Sequence, residues 1–517
     1  MQRLVLTFDI GTQSLRAMIV DKRGEILALH QEIYQSPYYS QNPTWAEQKP
    51  NYYFEHLCKA SRILKENNKD LFEKVVAVTV TTFRDTTICL DKNNKPLRDI
   101  VMWLDKRETT NPIKLLPFQN LAFNLVGMRD VIATQAKMAS CNWVKENQPE
   151  IWEKTAKFVL ISAYLNYQLT GHLVDSNASV VGHVPIDYKN RSWQKKGALT
   201  RCIADIPSEK LVEMCGPGDT IGYITKETAS ISGIKEGLPL IATGADKSCE
   251  TLGLSVIDTH KAAISFGTAA TIQVVSKKYI EVPKYAPTYP SVMGDRFNVE
   301  LQIYRGYWML TWFKENFCGK EAEEAESLGV SVESIFDAKL CEVPAGSNGL
   351  TLQALWAPGV ITPNVKGAMI GFSDCHTKTH IYRAIIEGIG FGLMEGMYGM
   401  EKKSKTKVSE LYVAGGGSVS DEICQITANM FGLPVKRAST TETCGIGSSM
   451  VAFVALGEFA NFDEAIKSMC HNRDVFYPDM QQHKIYKDIY DNVYSKMLGK
   501  LSPLYLSTKK IINKYAK

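Results

Sequence analysis

Several signatures are missing from this chain of 517 residues, and each absence excludes a class of protein. No apolar run approaches the ~18 residues of a membrane-spanning helix. The first strand begins at Leu4 without a basic flank or a small-residue cleavage site, so no signal peptide is expected and the chain reads as cytoplasmic. Charge of one sign is also lacking: the net charge is only +4, which leaves no nucleic-acid footprint. The 12 cysteines include no C-x-x-C pair, and the nearest two, Cys202 and Cys215, are well separated, so they read as reduced, mostly buried small apolar residues.

Nucleotide and metal signatures fail in the same way. No G-x-x-x-x-G-K-[ST] occurs, which removes a P-loop. GPGDTIG at Gly216 has Ile221 where a dinucleotide fingerprint needs its third glycine, and EGIGFGL at Glu387 lies inside a helical pattern. His376 and His380 have the spacing of a helical zinc site but lack its glutamate, so no metal is expected there.

What the chain does carry is a repeated strand–turn–strand device. LVLTF runs into DIGTQS and back out through LRAMIVD. Asp9 ends the strand, Gly11 lets the backbone turn, and Thr12, Gln13 and Ser14 present hydroxyl, amide and N–H donors to a phosphate. AISFGTAATIQVV, from Ala263 to Val275, repeats it with Gly267 and Thr268 in the turn. Each copy alone also reads as an ordinary β-hairpin, but one in each half suggests a duplicated nucleotide-binding fold.

Between Val75 and Glu108 the chain reads as strand, polar interruption, strand and hairpin, with Arg84 and Asp85 set between two β-branched runs. A charged pair in that position is either an internal salt bridge or a clamp for hydroxyls.

These segments resemble the FGGY family of carbohydrate kinases, which includes glycerol, xylulose, ribulose and gluconate kinases, over about Leu4 to Ala465. FRDTT is similar to the Arg-Glu-Thr-Thr segment by which glycerol kinases hold their polyol, and WLDKR to a Trp-x-Asp-x-Arg block of the family. The resemblance implies that Arg84, Asp85, Trp103 and Asp105 line the acceptor pocket, although xylulose kinases carry Met-His-Gly in place of FRD. It makes Asp246, in TGADKS, the general base, a role for which a carboxylate within reach of a hydroxyl is suited. Lys247 stands where relatives commonly have glutamine and would suit an acidic substrate or a phosphate.

The resemblance extends to VKGAMIGFSDCHTKTHIYRAIIEGIGFGLMEGM, where Gly367, Gly371, His380 and Glu387 fit the second family signature and Gly388, Gly392 and Gly396 form a stripe suited to a neighbouring helix. In LYVAGGGSVSDE, Gly415, Gly416 and Gly417 would let backbone approach adenosine or phosphate, and Ser418 would cap the next helix. The implied architecture is α/β, with two actin- and hexokinase-like (ribonuclease H-like) domains flanking a cleft. Residues 1–254 would bind sugar and residues 255–480 nucleotide, with 481–517 a helical extension whose lysines form the solvated face of an amphipathic helix.

The implied activity is transfer of the ATP γ-phosphoryl to a small sugar, polyol or sugar acid, with Mg2+ held at Asp9 through water. No nucleic-acid or membrane partner is expected, and a homodimer is allowed because family members often form dimers or tetramers. An actin-like ATPase and a non-catalytic sugar-binding regulator stay open as alternatives. IYRGYWMLTWF, from Ile303 to Phe313, reads equally as pocket wall and as packing helix, while Asn177 and His183 are further candidates for reaching the substrate.

Overall fold

Strand Leu4–Ile10 is buried at all seven positions, as its unbroken apolar run requires of a central strand. In the computed structural model, which describes residues 3–111, 113–357 and 365–515, it organises the first of two units. That unit comprises Met1–Ser255, Tyr289–Phe297 and Glu442–Cys470; the second comprises Val256–Thr288, Asn298–Thr441 and His471–Lys517.

In the first unit Leu4–Ile10 pairs antiparallel with Ser14–Val20, which pairs antiparallel with Ile26–Ile33. On its other side it runs parallel to Val75–Thr82, which is parallel to Pro239–Ile241, and Thr220–Tyr223 closes the edge antiparallel. The second unit repeats this order. Lys261–Phe266 pairs antiparallel with Ala270–Ser276, which neighbours Phe297–Ile303. It then runs parallel to Glu410–Ala414, which is parallel to Val435–Ala438, and Asn472–Phe476 closes antiparallel. The duplication expected from two hairpins is therefore a duplication of whole sheets. Among the described residues no helix is long and apolar enough to cross a membrane.

Late in the sequence the chain returns to the first unit through helix Thr443–Ala455. Ser449 Oγ lies 2.7 Å from Thr7 Oγ1, Ser448 Oγ donates to Thr79 Oγ1 at 3.0 Å, and all four residues are buried, so the hydroxyls satisfy one another on the sheet face. The helix also crosses Asp246–Gly253 at backbone distance. A Cβ on Gly253 would meet Thr443 O at 1.9 Å, and one on Gly447 would meet Cys249 O at 1.9 Å, so only glycine permits the crossing.

The long helix Lys378–Ser404 packs in the second unit, and its glycine stripe serves differently from the expectation. A Cβ on Gly388 would strike Leu352, one on Gly392 would strike Ile303, and one on Gly396 would strike Leu301 and Ile272. The neighbours are mainly residues of strands, with the Tyr494 hydroxyl of the helical segment Tyr490–Tyr494 the one helical contact, at 3.2 Å from the Gly392 position. On the same helix Glu387, 1 % exposed, accepts from Arg383 Nε at 2.8 Å, Tyr486 Oη at 2.7 Å, Ser347 Oγ at 2.9 Å and Gly346 N at 3.1 Å. Breaking a buried pair leaves a stranded charge, so Arg383→Met should cost about 3–5 kcal/mol, measured as a lowered urea midpoint; an unchanged midpoint would refute that role.

Candidate active site

The sheet topology delivers Asp246 to the first position of helix Asp246–Gly253, directly after the loop that follows strand Pro239–Ile241. Its Oδ1 accepts from Lys247 N at 2.7 Å and lies 3.7 Å from Arg84 Nε. Desolvation raises the carboxyl above its ordinary value, opposed by Arg84 and Lys247. The side chain is nevertheless 35 % exposed, so it is open to a small molecule. Such a group is a stronger base than a free aspartate and remains reachable.

Asp9 belongs to the same unit, one residue before the end of its strand at Ile10. Its Oδ2 is 3.9 Å from Arg16 and its Oδ1 is 3.5 Å from Cys444 Sγ, while Cys444 also reaches the Asp246 carbonyl at 3.4 Å. Arg16 is drawn away by Glu442 at 3.0 Å. Burial lifts the Asp9 carboxyl to about 7; Arg16 opposes the shift, and the negative charges of Asp246 and Glu442 add to it. The hydrogen bond to Cys249 and burial push the Cys444 thiol well up, which keeps it neutral. Asp246 and Glu442 thus add negative charge around Asp9, opposed by Arg16 there and by Arg84 and Lys247 at Asp246, and among the described residues no group of three His, Cys, Asp or Glu side chains is placed to hold a metal ion directly.

Arg84 and Asp85 do not interrupt a central strand. Val75–Thr82 belongs to the main sheet, whereas Thr87–Leu90 belongs to a separate four-stranded sheet, and the pair occupies the crossover between them. Arg84 lies over the Tyr289 ring at 5.0 Å. Asp85 adopts a left-handed backbone (φ +52°) and gives both oxygens to His183: the backbone N–H at 2.8 Å and Nδ1 at 2.6 Å. His183 Nε2 meets Gln135 Oε1 at 3.0 Å. Burial lowers the His183 pKa and the Asp85 carboxylate raises it, with the net shift upward.

The other acceptor-side residues divide. Trp103 is 38 % exposed and donates Nε1–H to Thr12 Oγ1 at 3.0 Å, which brings two of the singled-out positions together. The Asp105 carboxylate is 3 % exposed and is held by Arg107 Nε and Nη2, both at 2.7 Å, and by Ala46 N at 2.6 Å. Its oxygens are committed inside the protein. Lys247 Nζ pairs with Glu250 at 2.6 Å. Asn177 donates its backbone N–H to Cys215 O at 2.9 Å.

In the first hairpin turn Gly11 N donates to Ser14 O at 3.0 Å, Gln13 is exposed, and Ser14 Oγ accepts from Gln31 at 3.1 Å. In the second unit Thr268 is exposed and the Gly267 and Thr268 carbonyls accept from Tyr307 N at 3.1 Å and Trp308 N at 3.4 Å. The helix Trp308–Phe317 buries Met309, Leu310 and Phe313, so the aromatic segment packs a core. Gly415 (φ +90°) would press a Cβ on the Phe266 backbone at 2.9 Å, Gly417 would press one on Tyr307 at 2.8 Å, and Gly416 faces open space. Ser418, expected to cap the helix, instead closes the glycine turn through Oγ to Gly415 O at 2.7 Å; Ser420 caps Asp421–Phe431. Gly415→Ala should cost roughly 1–3 kcal/mol through the disfavoured φ and the Phe266 contact. A thermal melt that matches wild type would refute this.

Arg16, Gln135, Tyr289, Glu442 and Cys444 reach the site without a local signal; each is brought there by pairing or packing distant in sequence.

Two family models cover most of the chain: the FGGY family of carbohydrate kinases, N-terminal domain, at residues 4–253, and its C-terminal domain at residues 262–456. The chain is 26 % identical to a xylulose kinase of Lactococcus lactis, over 94 % of this chain and 95 % of the relative. It is 22 % identical to a gluconokinase of Bacillus licheniformis, over 100 % of this chain and 97 % of the relative. The crystal structure of xylulose kinase from Rhodospirillum rubrum superposes with a TM-score of 0.83 at 20 % identity, covering 97 % of this chain and 100 % of that one. With both domain models matched in order, the chain belongs to the FGGY family of carbohydrate kinases, phosphotransferases that act on an alcohol group.

Proposed function

We propose that the protein transfers the γ-phosphoryl group of ATP to a hydroxyl of a small polyhydroxylated acceptor, with Asp246 as the base. The acceptor O–H gives its proton to the Asp246 carboxylate. Its oxygen bonds to the γ-phosphorus as the bond to the β–γ bridging oxygen breaks, and ADP leaves. The observation that carries this reading is a reachable carboxylate, raised in basicity by desolvation, with Arg84 at 3.7 Å to orient it.

In this reading residues of the first unit hold the acceptor and residues of the second hold the nucleotide. Within the second unit Gly415, Gly416, Gly417 and Ser418 would take adenosine and Gly267 and Thr268 phosphate; within the first unit the turn of Thr12, Gln13 and Ser14 offers phosphate-binding donors of its own. Asp9 fits a hydrated Mg2+, because its buried carboxyl is lifted to about 7 and has Asp246 and Glu442 as negative neighbours. The ion, when bound, supplies charge neutralisation for the phosphates.

In this reading the acceptor is an uncharged polyol or ketose rather than a sugar acid, because both cations beside the base already face carboxylates, Lys247 at 2.6 Å from Glu250 and Arg84 at 3.7 Å from Asp246. The His183–Gln135 pair would share its donors with the hydroxyls. His183→Ala should raise KM for the acceptor about tenfold, the loss of one or two buried hydrogen bonds, with KM for ATP unchanged. Equal effects on both constants would argue for a merely structural histidine.

The function is tested by ADP release from Mg-ATP across polyols, ketopentoses, ketohexoses and sugar acids, each beside an acceptor-free control. Release dependent on a polyol or ketose supports the reading. A sugar-acid winner restores Lys247 as a ligand, and release equal with and without acceptors makes the protein an ATPase.

A further inference from the structure

Helix Ser495–Tyr515 begins in the core of the second unit and then leaves it. Met497 is buried, Leu498 and Leu501 are half-buried, and the Tyr505 hydroxyl donates to Gln353 Oε1 at 3.1 Å. From Leu506 to Tyr515 every residue is exposed. At 100° per residue, Leu504, Ile511, Ile512 and Tyr515 continue the stripe that Met497 and Leu501 begin. The face that packs in the first half thus runs out uncovered, with Ile511 57 %, Ile512 61 % and Tyr515 72 % exposed.

The charge on this segment is of one sign. Between Ser495 and Lys517 the sequence has Lys496, Lys500, Lys509, Lys510, Lys514 and Lys517 and no aspartate or glutamate; Lys517 lies outside the described residues. Lys509, Lys510 and Lys514 fall to the sides of and opposite the apolar stripe. A second copy docked on this face would oppose lysines to lysines. A nucleic acid would use the lysines and leave Ile511, Ile512 and Tyr515 in water.

We propose that residues 504–515 are a docking surface for an anionic lipid bilayer. The helix lies in the plane of the interface, with Ile511, Ile512 and Tyr515 among the upper acyl chains and the lysines at the headgroups. One amphipathic helix with a short apolar stripe gives reversible attachment, so the protein exchanges between bilayer and solution.

The test is sedimentation of the full chain with vesicles of phosphatidylcholine mixed with phosphatidylglycerol, and with vesicles of phosphatidylcholine alone. Wild type should bind the mixed vesicles, not the neutral ones, and release them as salt rises. Each of Lys509→Gln, Lys510→Gln and Lys514→Gln should weaken partitioning about fivefold. Ile511→Ser combined with Ile512→Ser should abolish it, with the kinase rate in solution unchanged.

Wild type that stays in the supernatant with both vesicles overturns the proposal, as do lysine variants that bind like wild type. Self-association that the isoleucine variant removes, without vesicle binding, gives the face to a second copy. Retention on an oligonucleotide without vesicle binding gives it to nucleic acid.

Discussion

Asp246→Ala should lower kcat by about 10²–10⁴, the range that a positioned general base contributes, while leaving the affinity for ATP close to wild type. The separation follows from where the residue sits: Asp246 belongs to the first unit, and the proposed adenosine contacts, Gly415 to Gly417, to the second. Folding should not suffer, because the raised pKa means that the ionised carboxylate is held at a cost that alanine removes. Calorimetric titration of ATP, a thermal melt and a steady-state assay on one preparation decide the matter. Near-normal turnover would remove Asp246 from the chemistry, and loss of ATP binding would make it part of the nucleotide site. Since the base must be ionised to accept a proton, the wild-type rate should fall with acid at a pH above the ordinary carboxylate range.

Strand runs, turns and glycine signals were legible because they are local. Two β-hairpins with Gly-Thr turns announced two sheets, and the glycine run between Ala414 and Ser418 marked a turn where side chains would collide with Phe266. What could not be read was which unit receives a segment. Nothing in TCGIGSSMVAFVA shows that its serines meet Thr7 and Thr79, more than 360 residues earlier, or that Gly447 is required by a backbone crossing at Cys249. Motif residues showed the same limit. FRD was visible as a charged pair, yet its meaning depends on His183, and the Asp105 oxygens are taken up by Arg107 and Ala46 N while Asp246 stays reachable. Sequence gives the type of a carboxylate, and packing decides whether its oxygens are spent.

Asp9→Asn should invert the usual expectation that removing an active-site charge is neutral for folding. Burial lifts the wild-type carboxyl to about 7 in the folded protein, above the ordinary aspartate value of about 3.9, so the folded state holds the proton more tightly than the unfolded one. Its contribution is complete below about pH 4 and is lost as pH rises through about 7. Asparagine keeps the shape of the protonated acid without that loss. The variant should match wild type near pH 4 and exceed it at pH 8 by on the order of 4 kcal/mol, read from denaturant midpoints across pH. Parallel curves would mean that Arg16 satisfies the ionised group in solution. The same substitution should cost the enzyme its response to metal. The Mg2+ proposed at Asp9 would stabilise only the form that binds it, so Mg2+ with nucleotide should raise the melting temperature of wild type and leave the variant nearly unmoved. A full metal-dependent shift in the variant would place the ion on other ligands. A destabilising ionised carboxylate is retained where its charge is used, and an Asp9 that weakens the empty fold but answers to Mg2+ would have that explanation.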